Sequence, residues 1–365
     1  MTRGSSVSGG APIAPKRPDR RSMRWRMWSS GSGSRPCCIA IASSSRSELQ
    51  RRERPGAVDG RSPAPLPAEA VGAILWSVRT RGLVIVLTCA AALLAGALWA
   101  GSQWSAPTPR RVGAPPPDLG ARTVEFAGRS GRRLRGWFAP GAGTGSVVLV
   151  HGVRETRRSM LDRARFLHRA GYSVLLFDLS AHGESDGDRV GFGLTEADDV
   201  RAAVEFVRAA RPGEPVAAIG FSLGGAACVL GAPPLPVDAL VLEAVYPDIE
   251  TAVGNRLRVR LGRLGPLLTP LLTWQLEARW GIDRRDLRPV DAIRRVRVPL
   301  LLVAGADDPR TTPADAARLF AAAAEPKQLW IVPAAAHEDF HRITPAEYEL
   351  RVLDFLNHAF VADGH

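Results

Sequence analysis

The sequence predicts an α/β fold in which a mostly parallel β-sheet is covered by helices on both faces. From about residue 119 onward, short apolar runs alternate with segments that have helical spacing. The apolar runs are nearly continuous, which is typical of parallel strands buried on both sides. Ligand chemistry in such a sheet lies at the carboxyl ends of the strands, so polar residues directly after the strands are the candidates for a functional site.

The predicted elements follow one another in a regular order. A hairpin comes first, with strands at 122–126 and 134–138 and a glycine turn at 128–131. Further strands are predicted at 146–149, 172–177, 216–221, 239–245, 299–304 and 328–332. Helices are predicted at 159–169, at 196–209 with Thr195 as N-cap, directly after residue 222, at 313–323 and at 345–360.

The net positive charge of the chain comes from its N-terminal third. Residues 1–111 contain 17 Lys and Arg against 5 acidic residues, whereas the remaining chain has 31 of each sign. The folded part therefore lacks the basic surface that nucleic-acid binding requires, and no nucleic acid is expected as a partner. Residues 1–78 are basic and rich in Ser, Pro and Gly, and we expect them to be disordered. A true start at Met23 or Met27 is the alternative.

Residues 82–101 form an apolar run long enough to cross a membrane. The run has twenty residues without a charge. Arg79 and Arg81 precede it and the next basic residue is Arg110, so the N-terminus is expected in the cytoplasm and the C-terminal domain outside. We therefore predict a signal anchor at 79–102, a Pro-rich linker at 103–118 and a folded domain at 119–365. A cleaved signal peptide with secretion, or a buried core helix, are the alternatives.

Cysteine and histidine spacing gives no sign of a metal site or disulfide framework. The four cysteines are Cys37, Cys38, Cys89 and Cys228, and none belongs to a set with metal-ligand spacing. The sequence therefore predicts no metal and no cofactor.

Ser222 has the sequence surroundings of a nucleophile elbow. The segment Gly220-Phe221-Ser222-Leu223-Gly224 closes an apolar strand and opens a helix. The chemistry needs small residues two before and two after the serine, because the strained turn leaves no room for a Cβ there. Ser222 is therefore predicted to be a nucleophile.

His337 is the predicted general base. It follows the strand at 328–332, and an imidazole is needed to take the proton of Ser222. His341 and His182 are the competing histidines. His341 lies a turn further on, and His182 falls in a segment that is expected to close a loop.

Asp308 is the predicted acid of the site. It follows the strand at 299–304, and a buried carboxylate is needed to fix the imidazole tautomer. Its neighbour Asp307 is the first alternative. Glu243, at the end of the preceding strand, is the second, although a buried ion-paired glutamate is the simpler interpretation.

Two backbone N–H groups are predicted to form an oxyanion hole. Leu223 begins the helix after Ser222, and Val153 lies in the loop that follows the strand at 146–149 and His151-Gly152. Donors of this kind stabilise the negative oxygen of a tetrahedral intermediate without any recognisable side chain.

The chain resembles the α/β-hydrolase superfamily in the Ser222 elbow, the His151-Gly152 loop and the positions of Asp308 and His337. Residues 120–360 look like the membrane-anchored, serine aminopeptidase-like branch. The resemblance implies the α/β-hydrolase fold with an eight-stranded sheet, a structural role for Asp178, and a Ser222, Asp308, His337 triad. Two departures are Ala336, where glycine is usual, and a loop after Gly152 that is not glycine-rich.

Residues 247–292 are an insertion between two strands. The segment is leucine-rich, with arginines at 256, 258, 260 and 263. We expect a small helical cap over Ser222 that shapes an acyl or lipid pocket. An amphipathic helix packed on the sheet, with a solvated arginine face, is the alternative.

The predicted function is hydrolysis of an ester, thioester or amide through an acyl-enzyme, most simply a carboxylesterase or acyl-lipid hydrolase. The alternatives are a catalytically silent scaffold that binds a lipid or partner at the membrane, and a serine peptidase. The expected partners are a small-molecule or lipid acyl substrate and, through the N-terminal helix, a membrane. The sequence does not determine the oligomeric state.

Overall fold

The computed structural model of the chain describes residues 67–129 and 131–362, apart from the side chain of Ile74. Within this part, the chain from Ala68 onward forms one compact unit. The part of the predicted disordered segment 1–78 that precedes Pro67 lies outside the described residues, as do Met23 and Met27. Its last residues, 68–78, differ from that prediction, because they form the start of the helix that continues through the apolar run.

An eight-stranded, mostly parallel sheet forms the centre of the fold, as the sequence predicts. Its strands are β1 (Arg122–Ala127), β2 (Arg133–Ala139), β3 (Ser146–Val150), β4 (Ser173–Phe177), β5 (Val216–Phe221), β6 (Ala239–Glu243), β7 (Leu300–Gly305) and β8 (Lys327–Val332). They lie in the order β8-β7-β6-β5-β3-β4-β2-β1. β2 runs antiparallel to β1 and β4, and all other neighbours are parallel.

Helices cover both faces of this sheet because the central strands are apolar on both sides. The helices are α1 (Ala68–Ser105), α2 (Leu161–Arg169), α3 (Glu196–Ala210), α4 (Leu223–Leu230), α5 (Ile249–Leu261), α6 (Thr269–Trp280), α7 (Pro289–Ala292), α8 (Pro313–Ala322), α9 (Phe340–Ile343) and α10 (Pro345–Ala362). α2 and α10 contribute to the core on one face, and α3, α4 and α8 to the core on the other. The two-sided burial of the strands thus confirms the predicted layer arrangement.

Two local predictions differ from the structure. Thr195 precedes α3, but its hydroxyl accepts no hydrogen bond from the helix. Glu196 instead accepts hydrogen bonds from the N–H groups of Gly191 and Gly193, both at 2.8 Å, and so organises the entry to the helix. The strand predicted at 239–245 ends at Glu243, because Ala244 has a positive φ of 49° that no strand continues through.

α1 is a single helix of 38 residues that contains the predicted membrane run. Its most apolar 18-residue stretch has a mean hydropathy of 2.4 and is 6% buried. It is the one helix in the described ranges that is long and apolar enough to cross a membrane. Ala97 is buried against the rest of the fold, and its carbonyl accepts a hydrogen bond from the Gln275 amide at 2.9 Å.

The residues after α1 are attached along the domain. Thr108 and Pro109 pair with His182 and Gly183 in a short parallel ladder. Further on, the N–H groups of Val112 and Gly113 donate to the Glu184 carboxylate at 3.0 Å. These hydrogen bonds therefore fix the segment after α1 against the folded domain.

The insertion at 247–292 is helical and lies between β6 and β7. It comprises α5, a 3-10 segment at Gly262–Leu268, α6, a short turn at Arg284–Asp286, and α7 with its 3-10 extension. α5 begins with Asp248 as N-cap, whose carboxylate accepts from the Thr251 N–H at 2.7 Å. We call residues 249–280 the cap.

A buried ion pair joins the sheet to the helices on one face. The Arg163 guanidinium donates to the Glu243 carboxylate, with an Nη2 to Oε2 distance of 2.6 Å, and both side chains are buried. Tyr348 donates to the same carboxylate, and Asp339 accepts from Arg163 at 2.8 Å. Glu243 is therefore engaged as an ion-paired residue, the simpler of the two interpretations offered by the sequence.

Glu243→Gln is expected to destabilise the fold by about 3 kcal/mol, because it leaves part of a buried guanidinium charge uncompensated. The free energy of unfolding is measured by urea titration of the full chain in detergent. The matched control is Glu347→Gln, which removes an exposed pair with Arg351 and should cost less than about 0.5 kcal/mol. Equal losses in the two variants would contradict this account of the Arg163 pair.

Candidate active site

Ser222 occupies a strained turn between β5 and α4. Its backbone has φ 51° and ψ −109°, a conformation that costs a non-glycine residue on the order of 1–3 kcal/mol. The Ser222 N–H donates to the Glu243 carbonyl at 2.8 Å, which ties the turn to β6. The chain packs tightly around it: a Cβ on Gly220 would lie 2.7 Å from Gly224, and one on Gly224 would lie 2.5 Å from the Val150 carbonyl. The two glycines are therefore required by space.

His337 lies beside Ser222. Its Nε2 is 3.1 Å from the Ser222 Oγ, and its Nδ1 is 2.7 Å from Oδ2 of Asp308. The Phe221 ring lies 5.3 Å from the imidazole and limits its rotation. With Asp308 ionised, Nδ1 carries the proton and Nε2 is left as the acceptor for the serine hydroxyl.

Asp308 is buried and held by several donors. Its carboxylate accepts from the Arg310 N–H at 2.7 Å, the Thr311 N–H at 3.0 Å and the Thr311 hydroxyl at 2.5 Å. Burial by itself raises the pKa of this carboxyl, but the hydrogen bonds from His337 and Thr311 outweigh it, and the pKa is lowered. Asp308 therefore stays ionised beside the imidazole, whereas the neighbouring Asp307 is exposed.

The competing histidines are placed elsewhere. His341 packs against Phe166 and contacts Glu349, with Nε2 3.0 Å from Oε1. His182 is buried, its Nδ1 lies 2.9 Å from the Ser180 carbonyl, and burial lowers its pKa to about 4. Within the described residues, His337 is the one histidine that forms a hydrogen bond with Ser222.

The two predicted oxyanion donors both line the pocket above Ser222. Leu223 is the first residue of α4, so its N–H has no acceptor within the helix. Over the described ranges, the structure shows no hydrogen bond donated by the Val153 N–H. Both groups are thus free to bind a ligand oxygen.

His151 orients the peptide that carries the Val153 N–H. Its Nε2 accepts from the Leu179 N–H at 3.1 Å, so Nδ1 bears the proton and donates to the Gly152 carbonyl at 2.7 Å. Burial lowers the pKa of His151 to about 4, which keeps the ring neutral in this role. Because C=O and N–H point in opposite directions across a trans peptide, fixing the Gly152 carbonyl also fixes the direction of the Val153 N–H.

Two supporting residues were not anticipated from the sequence. Thr311 binds Asp308 and also lies 3.3 Å from the His337 Nδ1. Glu155 accepts from the Gly152 N–H at 3.1 Å and from the Ser159 hydroxyl at 2.8 Å, which braces the same loop. Both are hydrogen-bonding residues a few positions after a strand, and nothing in their spacing marks them out from other loop residues.

A pocket of about 670 Å³ opens above Ser222. Its walls come from the loops after the strands, from α5 of the cap, and from Trp104 at the end of α1. The cap residues that line it are Ile249, Ala252, Val253, Arg256, Val259 and Arg260. The described residues contain no group of three or more His, Cys, Asp or Glu side chains that could hold a metal ion.

Two curated proteins are similar to this chain in sequence. An uncharacterized protein of Mycobacterium tuberculosis, Rv2307c, is 34% identical over 223 residues, which are 60% of this chain and 73% of that protein. The uncharacterized protein YqkD of Bacillus subtilis is 24% identical and covers 62% of this chain and 76% of its own length.

Solved structures show the same fold. The esterase Pf2001 of Pyrococcus furiosus superposes with a TM-score of 0.59 at 23% identity, over 70% of this chain and 98% of that one. The α/β hydrolase GrgF of Penicillium superposes with a TM-score of 0.53 at 21% identity, over 66% of this chain and 99% of that one. The sequence model described as the alpha/beta hydrolase family matches residues 147–349. The chain therefore belongs to the alpha/beta hydrolase family.

Proposed function

We propose that this protein is a serine hydrolase that cleaves carboxylic esters through an acyl-enzyme. The observation that carries the proposal is the continuous set of hydrogen bonds from Ser222 through His337 to Asp308, at the floor of a pocket with two free backbone donors. Strain in the Ser222 backbone adds support, because such strain is found where function requires it.

In the acylation step, the Ser222 oxygen attacks the ester carbonyl carbon while its proton moves to Nε2 of His337. The carbonyl oxygen becomes an oxyanion and accepts hydrogen bonds from the Leu223 and Val153 N–H groups. Asp308 stabilises the imidazolium through Nδ1. When the carbon–oxygen bond to the alcohol breaks, the imidazolium proton goes to the departing oxygen.

Deacylation repeats this chemistry with water as the nucleophile. His337 takes a proton from water, the resulting hydroxide attacks the acyl carbon, and the same two N–H groups bind the second oxyanion. The proton then passes to the Ser222 oxygen as the acid leaves. Each step thus begins and ends with a neutral imidazole.

A fluorophosphonate probe is expected to label the full chain in detergent, and Ser222→Ala should abolish the labelling. The same substitution should lower kcat/KM for a p-nitrophenyl ester by at least about 10³-fold, because the nucleophile is lost while binding is kept. Labelling is read by in-gel fluorescence and by mass spectrometry of the modified peptide.

Ser102→Ala, at the end of α1, is the matched control and should keep both labelling and turnover. Folded wild-type protein that resists the probe, or a Ser222→Ala variant that hydrolyses the ester like the wild type, would favour the silent-scaffold alternative and sink the proposal.

We further propose that α1 is an uncleaved membrane anchor, with its N-terminus in the cytoplasm and the catalytic domain outside. The side chains from Leu83 to Leu87 are 59–63% exposed, although all five are large and apolar. The proposed anchor helix also packs against the folded domain, since the Ala97 carbonyl accepts a hydrogen bond from the Gln275 amide at 2.9 Å. This contact argues for retention of the helix, since a cleaved signal peptide would remove it.

The anchor is tested by alkaline carbonate extraction of membranes from cells that express the full chain. The wild type should remain in the pellet, and the pair Val86→Arg with Leu87→Arg should shift it to the supernatant, since each central arginine costs about 3 kcal/mol of insertion. Leu350→Arg with Val361→Arg, at exposed positions of α10, should change nothing. In spheroplasts, added protease should digest the wild-type domain from outside; a protected domain would refute the orientation.

A further inference from the structure

Arginine side chains dominate the charged lining of the pocket above Ser222. Seven arginines line it, against four acidic residues. The arginines are Arg154, Arg158, Arg163, Arg256, Arg260, Arg310 and Arg342, and the acidic residues are Glu155, Asp162, Glu338 and Asp339. The pocket therefore carries a surplus of positive charge.

The acidic residues are already bound to donors of the protein. Glu155 accepts from Gly152 and Ser159, Asp162 from Arg165, Glu338 from Ala336, and Asp339 from Arg163. None of these acids is paired with Arg256, Arg260, Arg310 or Arg342, and within the described residues those four arginines have no carboxylate within 4.0 Å. Their charge is uncompensated.

Arg256 is the innermost of the four, and it is partly buried whereas the other three are exposed. Its Nη1 donates to the Ala252 carbonyl of its own helix at 3.0 Å, and its guanidinium donates no other hydrogen bond to the described residues. Burial lowers the pKa of Arg256, and the neighbouring positive charges of Arg310 and Arg260 lower it further, whereas the charge of Asp308 raises it. A bound anion would therefore stabilise the partly buried Arg256 cation by pairing with its charge.

Three of these arginines come from segments that are tied together at the pocket. Arg260 lies one turn beyond Arg256 on α5. The Arg310 N–H donates to Asp308 at 2.7 Å, and the Arg310 carbonyl accepts from the Asn255 amide at 3.2 Å, which ties this loop to α5. The guanidinium groups are thus presented from elements that are held together beside the proposed catalytic acid.

We propose that Arg256, with Arg260 and Arg310, forms a subsite for an anionic group, a carboxylate or a phosphate monoester, carried by the ester substrate. Guanidinium groups bind both anions through charge-assisted, bidentate hydrogen bonds. This inference rests on the proposed esterase function and names its substrate class. A free amino group on the substrate, as a peptidase would bind, is disfavoured by the same charge.

The test compares esters that differ only in an anionic group, using the full chain. Mono-p-nitrophenyl glutarate is compared with p-nitrophenyl pentanoate for the acyl side, and 4-(butanoyloxy)benzoate with its methyl ester for the alcohol side. We expect the wild type to prefer the anionic member of one pair by about 10-fold or more in kcat/KM. Arg256→Gln should remove the preference through KM, and Arg256→Lys should restore part of it.

Arg294→Gln, an exposed residue outside the pocket, is the control and should keep the preference. Equal rates within both pairs would overturn the subsite while leaving the esterase intact. If no ester is hydrolysed, the proposed esterase function fails. The subsite is then tested by calorimetry, which measures binding of the same anionic esters to Ser222→Ala protein. Adding Arg256→Gln to that protein must weaken the binding if the subsite exists. Competition by glutarate and by inorganic phosphate distinguishes the two anion types.

A second inference concerns the outer surface of the cap. Five large apolar side chains between the end of α5 and the middle of α6 are at least 51% exposed, which is unusual for a surface in water. They are Val259, Leu261, Leu264, Leu267 and Trp274.

The contacts of α6 with α1 show where this surface lies. Gln275 binds the Ala97 carbonyl, and Arg279 binds the Leu98 carbonyl at 2.9 Å and the Ser102 hydroxyl at 2.7 Å. These contacts place α6 against residues 97–102 of α1, where the apolar run at 82–101 ends. The cap therefore adjoins the end of the proposed membrane-spanning stretch.

We infer that the cap surface formed by residues 259–274 is immersed in the outer leaflet of the lipid bilayer that α1 crosses. The exposed leucines then bury apolar area among acyl chains, and Trp274 takes the interfacial position that tryptophan favours. Arg263 is interleaved with them and reaches the headgroups by extending its side chain. This inference rests on the membrane anchor and is independent of catalysis.

The test places an environment-sensitive fluorophore on single cysteines of the full chain in phospholipid vesicles. The native cysteines are first replaced, and folding is checked by circular dichroism. NBD on Leu267→Cys should be blue-shifted and quenched by doxyl lipids, as on Leu87→Cys in α1, whereas NBD on Leu350→Cys, an equally exposed position of α10, should not. Leu267 behaving like Leu350 while Leu87 is quenched would overturn the inference; an unquenched Leu87 would refute the anchor and, with it, this inference.

Discussion

The arrangement of the site depends on how the backbone of Ser222 is held. With φ at 51°, Ser222 lies outside the backbone conformations that non-glycine residues favour. The contacts of the surrounding chain hold it in this strained conformation. The hydrogen bond from its N–H to the Glu243 carbonyl holds one side of the turn, and the close approach of Gly220 and Gly224 holds the other. The same turn starts α4, so the Leu223 N–H faces the pocket without further adjustment.

A buried arginine links the two halves of the site. Arg163, from α2, pairs with Glu243, whose backbone carbonyl receives the Ser222 N–H. The same guanidinium pairs with Asp339, two residues after His337. Because both carboxylates are bound to one rigid, planar group, the strand beside the serine and the loop of the histidine are fixed relative to each other. The interactions that stabilise the fold here also set the geometry proposed for catalysis.

The pocket is assembled from parts of the chain that serve different purposes. The sheet loops supply the groups proposed to react, the cap supplies apolar walls together with Arg256 and Arg260, and Trp104 brings the end of α1 to the rim. The helix proposed to cross the bilayer, α1, thus ends at the pocket, because Trp104 belongs to its last turn. The proposed membrane anchor therefore lies beside the pocket of the proposed substrate, although separate contacts support each of the two proposals.

Much of the fold and the positions of Ser222, Asp308 and His337 could be predicted from the sequence, because apolar periodicity and glycine spacing are local properties of the chain. The strand end at Glu243 and the entry to α3 could not be, since Ala244 and Glu196 respond to contacts made by distant segments. The sequence by itself therefore determined the order of strands and helices, the eight-stranded architecture of the family it resembles, and a short set of candidate site residues.

Only the tertiary structure decided which of the competing residues meet. Spacing along the chain does not determine whether His337 or His341 reaches Ser222, or that Glu243 pairs with Arg163 while Asp308 faces the imidazole. Those outcomes depend on the register of neighbouring strands and on the loops that follow them. The unpaired state of Arg256 is likewise a property of three-dimensional packing, because a charge is compensated by whatever lies within a few ångströms of it and not by its neighbours in sequence.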